Sequence, residues 1–137
     1  MSKLFKVLAK NTQLKFINLS FNQLVHDVPT KVHRKVLSSK DADPESPDFG
    51  ASQLSDFSRK TIENVSKFLR RNKNLVHADL SNTGLSEAHL WYFGSTLRRA
   101  ISLRSLHLSG NPGVTQRLKN YLCERVHCIT VDKDSIA

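Results

Sequence analysis

One spacing recurs three times in this chain: apolar residues at positions one, four and six, then a small polar residue at nine. The copies are Leu14, Ile17, Leu19 and Asn22; Leu75, Ala78, Leu80 and Thr83; and Leu103, Leu106, Leu108 and Asn111. A helix does not place apolar residues in that order, whereas a short strand running into a tight turn does. Alternation along Leu103–Leu108 sends Leu106 and Leu108 inward and Ser105 and His107 outward. An amide at position nine can satisfy backbone groups of the bend and pair with its counterpart in a stacked neighbour. The last two copies start 28 residues apart, a period in the range of stacked strand–turn–helix repeats.

The segments between strands read as helices. Ser86 is a natural N-cap with Glu87 in the first turn, and Leu90, Phe93 and Leu97 follow at helical spacing. Ile62, Val65, Phe68 and Leu69 form a matching stripe. A leucine stands six residues before each strand start, at Leu8, Leu69 and Leu97.

On these residues the chain resembles the leucine-rich repeats of ribonuclease-inhibitor type, over about residues 3–131. The resemblance implies an α/β fold: a short solenoid with a parallel β-sheet on the concave face and helices on the convex face. It also implies a non-catalytic role in binding other proteins. The first unit is long, with 61 residues from Leu14 to Leu75, so it carries an insertion or a degenerate repeat. Thr83 replaces the turn asparagine in the second unit. A fourth strand is expected at Val126, Ile129 and Val131, with no turn asparagine after it.

A chain of 137 residues supports one core, so residues 1–137 are read as a single domain. Within it, residues 38–52 hold Asp41, Asp43, Glu45 and Asp48 with Pro44, Pro47 and Gly50, which is the composition of a flexible acidic insertion. Ser46-Pro47 within it is a weak phosphorylation signal. No apolar run approaches the roughly 20 residues of a membrane span. Two cysteines, Cys123 and Cys128, make no disulfide framework, which points to a reducing intracellular compartment. Residues 1–26 contain Lys3, Lys6, Lys10 and Lys15 and no acid. The competing readings are a mitochondrial leader or membrane-surface helix and the helix of a leading half-repeat. Alignment of Leu4 and Leu8 with Val65 and Leu69 favours the half-repeat.

The net charge is +9. Arg70, Arg71, Arg98 and Arg99 occupy equivalent helix ends, and Lys10 is in register with Arg71 and Arg99. Stacked, they form a basic edge. Complementing helix dipoles explains one cation per helix better than two, which leaves docking to an acidic protein surface or to phosphates. A second cluster, Lys31, His33, Arg34 and Lys35, lies beside the acidic insertion. RNA or DNA phosphates are the alternative partner, but no aromatic stacking platform is interleaved with the cations.

Register predicts two outward columns on the sheet: Phe16, His77, Ser105 and Cys128, then Asn18, Asp79, His107 and Thr130. The expected protein-binding surface is Phe16, Asn18, His77, Asp79, Arg104 and His107, with Asp79 near enough to His107 to pair. His77, His107, Cys128, Asp79 and His127 are metal-ligand types, but a flat parallel sheet splays them and zinc needs convergence. Asp79, His107 and Ser105 lack an evident oxyanion hole. The reading is therefore no enzyme, no metal and no cofactor: a scaffold subunit of a cytoplasmic, cytoskeletal, ciliary or organellar complex, exposed for docking at its N-terminal sheet edge.

Overall fold

The computed structural model describes residues 2–26, 54–97 and 100–125. The acidic stretch at 38–52, the Lys31–Lys35 cluster, Arg98, Arg99 and the expected strand at Val126–Val131, with His127, Cys128 and Thr130, lie outside the described residues.

Strands and helices alternate in the order α1 (Ser2–Leu8), β1 (Phe16–Asn18), α2 (Asp56–Arg71), β2 (His77–Asp79), α3 (Glu87–Leu97), β3 (Ser105–His107) and α4 (Gln116–Arg125). The described strands form one parallel sheet in the order β1-β2-β3. Phe16, His77 and Ser105 stand side by side, as do Ile17, Ala78 and Leu106, and Asn18, Asp79 and His107. The fold is therefore α/β with a small three-stranded parallel sheet, and the expected columns hold across these strands.

The apolar positions of the repeat make the core. Leu75, Ala78, Leu80, Leu103, Leu106 and Leu108 are buried together with Val65, Phe68, Leu90, Phe93 and Leu97 from the helices. Burying a side chain of this size stabilises the fold by about 1.5–3 kcal/mol. Each helix packs on the next in chain order. α1 joins that layer, but through Phe5, which is buried and meets the Phe68 ring at 6.0 Å. Leu8 is partly buried and Leu4 is exposed, so of the two leucines aligned with Val65 and Leu69 one faces out. Phe57, in the first turn of α2, is exposed as well. At the other end, Gly94 lets α3 approach α4: a Cβ there would come within 2.7 Å of Tyr121 and 2.8 Å of Leu122.

Local chemistry sets the helix ends. Ser55 caps α2 by accepting the N–H of Ser58. Ser86 precedes α3 as expected, and His89 reaches back so that its Nδ1 accepts the Ser86 N–H at 3.0 Å. That bond gives His89 the part Glu plays in a capping box. The α2–α3 seam is polar in places. Ser66 and Thr96 hydroxyls meet at 2.5 Å, and the Tyr92 hydroxyl donates to Glu63 at 2.7 Å. Burial, then the bond to Glu63 and its negative charge, push the Tyr92 hydroxyl up to about 12.

Candidate functional site

The turn after each strand explains why position nine is polar. Asn22 Nδ2, Thr83 Oγ1 and Asn111 Nδ2 each donate to the carbonyl three residues back, at Leu19, Leu80 and Leu108. Asn111 does more. It is buried, its Nδ2 also donates to Leu80 O at 2.8 Å, and its Oδ1 accepts from Thr83 N, Thr83 Oγ1 and Leu85 N at 3.0–3.1 Å. One amide thus ties β3's turn to β2's. Asn22 is exposed, and its second bond stays within its own turn, to Ser20 O.

The helix-to-strand connections are stitched the same way. Asn72 Nδ2 donates to Asn11 O at 2.9 Å, Asn74 Nδ2 donates to Thr12 O, and Ser102 Oγ donates to Asn72 O at 2.8 Å. Equivalent positions are therefore neighbours here, and exposed Lys10, Arg70 and Arg71 belong to one end of the sheet. Exposed Lys15, Lys73 and Arg104 join them in the same connections, and Ile101 is an exposed aliphatic among them. Arg104, expected on the sheet face, stands just before β3, level with Lys15 and Val76.

The outward sheet face carries the rest of the expected site. Phe16 is 66% exposed, and its ring centroid lies 5.7 Å from that of His77. His77 in turn stands 4.5 Å from His107, a diagonal neighbour. The three rings make a row across all three described strands. His107 Nε2 also meets Ser105 Oγ at 3.2 Å.

The polar residues at position five also serve their own turns. Asp79 lies across from His107, and its Oδ1 accepts the Ser81 N–H at 2.8 Å. Asn18 does the same with the Ser20 N–H at 2.9 Å. A short carboxylate or amide that bonds its own chain two residues on is a turn device. Asp79 therefore holds its own turn while standing beside His107. The Ser105–His107 contact has the reach of a nucleophile and base, but among the described residues no helix covers this sheet face to exclude water. Among the described residues, no group of three or more His, Cys, Asp or Glu could hold a metal ion.

Compared with known proteins, the chain matches no family, no curated protein and no solved structure. No described helix is long and apolar enough to cross a membrane.

One residue escaped the sequence reading. Position eight of each turn takes a positive φ: 58° at Phe21, 53° at Asn82 and 70° at Gly110. Glycine and asparagine tolerate this region, whereas for most side chains it costs about 1–2 kcal/mol. Phe21 adopts it while 81% exposed, so burial offsets little of the strain. The signal was available: Leu-Ser-Phe-Asn aligns with Leu-Ser-Asn-Thr and Leu-Ser-Gly-Asn, and the aromatic is the odd member.

Proposed function

We propose that the chain is a short leucine-rich solenoid, with the sheet on its concave face and the helices outside, acting as a non-catalytic protein-binding or scaffold unit. The observation that carries this reading is the ring row Phe16–His77–His107 on a sheet face with no helix packed over it among the described residues. Aromatic anchors surrounded by polar groups are what protein interfaces favour. Asn18, Ser105 and Asp79 flank the row. The cations at the helix-to-strand end, Lys10, Lys15, Arg70, Arg71, Lys73 and Arg104, favour an acidic partner and raise the rate of encounter. An intracellular complex fits the cysteine usage.

The test is capture of partners by the full chain with and without nuclease, beside a Phe16→Ala, His77→Ala, His107→Glu variant. The reading expects a defined protein set that survives nuclease and is lost with the variant. Recovery that collapses with nuclease and ignores the variant hands the role to the basic end, with RNA or DNA phosphates as partner.

A further inference from the structure

Among the described residues, the side-chain-to-backbone bonds that join one unit to the next all reach toward the preceding unit. Asn111 reaches back to Leu80 O, Thr83 and Leu85; Asn72 reaches back to Asn11 O; Asn74 reaches back to Thr12 O; Ser102 reaches back to Asn72 O. The side chains at the equivalent places of the first unit are Asn22, Asn11 and Gln13, and all three are exposed. Asn22 uses its Nδ2 on its own turn, and its Oδ1, the atom that in Asn111 accepts two N–H groups from the preceding turn, has no partner among the described residues.

The backbone says the same. Lys15 O accepts from Val76 and His77, and Leu19 and Phe21 donate to Asp79 and Ser81, so odd-numbered residues face β2. In a parallel pair the intervening residues then point their N–H and C=O groups away. Phe16 and Asn18 thus form the outer edge, and no strand pairs with it among the described residues. Proline or a charged side chain would blunt such an edge, and neither occurs in Phe16–Asn18. Phe16 and strained Phe21 stand exposed at its two ends.

We propose that the outer edge of β1 receives an extended strand and turn from an acidic protein partner. The incoming strand pairs with the Phe16 and Asn18 backbone groups, its turn N–H groups reach Asn22 Oδ1, and its apolar side chains cover Phe16 and Phe21. Charge selects the partner: residues 1–26 carry four lysines and no acid, so the same edge of a second copy brings lysines against lysines. Strand addition of this kind draws affinity from the main chain and specificity from alternate side chains. The proposal rests on the chain being a protein-binding unit, but not on the sheet face being the docking surface.

The probe is an eight-residue, end-capped peptide alternating Glu with Val and Phe, titrated into the isotope-labelled full chain and followed by amide shifts and amide exchange. The expected result is slowed exchange at Phe16 and Asn18, at least a tenfold loss of affinity in Phe21→Asn, and a similar loss when Lys replaces Glu in the peptide. Phe21→Asn suits the turn's positive φ, so that loss does not come from unfolding. Binding that His107→Glu abolishes while Phe21→Asn spares it overturns this proposal and leaves the sheet-face reading standing. The opposite pattern supports the edge and removes the face. No binding at millimolar peptide, or Phe16 and Asn18 amides already protected in the free chain, overturns the proposal. In the second case, a dimer by light scattering identifies a second copy as occupant, and release of protection on deleting residues 38–52 identifies the chain's own acidic segment.

Discussion

Asn22 and Asn111 occupy the same place in the same motif, yet one is exposed with two bonds to its own turn and the other is buried with five bonds, four of them to the neighbouring unit. The motif specifies what an amide can do; the presence of a preceding unit decides whether it does it. Between β2 and β3 the amide is a structural tie. At β1, among the described residues, Asn22 Oδ1 and the outer strand edge have no partner, and Phe16 and Phe21 beside them are exposed.

The largest test of that contrast is truncation. Asn111→Ala takes their Asn111 partner from the buried N–H groups of Thr83 and Leu85 and from the Leu108 carbonyl, and leaves Leu80 O with the Thr83 hydroxyl alone. We expect a loss of about 3 kcal/mol or more in denaturant unfolding. Asn22→Ala should cost under about 0.5 kcal/mol, as an exposed site without such partners. Equal losses would erase the distinction between the two turns.

Next in size is the position-eight backbone. A Cβ on Gly110 would fall 2.0 Å from Asn82 Oδ1, at a φ of 70°. Gly110→Ala should therefore destabilise by about 1–2 kcal/mol. Phe21→Gly works in the other direction: relief of the positive φ outweighs the added freedom of the unfolded chain, for a gain of about 0.5 kcal/mol. A loss of stability in Phe21→Gly would mean the ring is held by packing and is no free anchor.

The smallest effect concerns the α2–α3 seam, which both regions share. Tyr92 ionises at about 12 in the fold, against 10.0 for the free group. The unfolded chain thus loses its proton first, and the stabilisation present below about pH 10 is lost as the pH rises toward 12. Thermal melts of the native chain and Tyr92→Phe should diverge in slope across that window and run parallel below it. Parallel curves throughout would remove the Glu63 bond from the account.

Much of the fold was legible because spacing at positions one, four and six is a direct consequence of alternation and burial. The register of the three strands followed from aligning Leu14, Leu75 and Leu103, and Leu8 marked the first helix. What the spacing could not carry was the fate of polar side chains. Asp79 and His107 are neighbours by register, and Asp79 Oδ1 also accepts the N–H of Ser81, a local bond that register does not reveal. The α1 reading went astray on one residue because Leu4 and Phe5 are both apolar, and a seven-residue helix has too few turns to show which faces inward. Phe21 was legible in principle, since only the comparison of three turns shows that a backbone suited to Gly and Asn holds an aromatic.

Residue-resolved amide exchange on the free chain tests the contrast most directly. The N–H groups of Asn82, Thr83 and Leu85, bonded to Ser109 O and Asn111 Oδ1, should exchange only on global unfolding, while those of Phe16 and Asn18 exchange near the free rate. Phe16 and Asn18 protected as strongly as Thr83 would contradict an open β1 edge beside a locked interior.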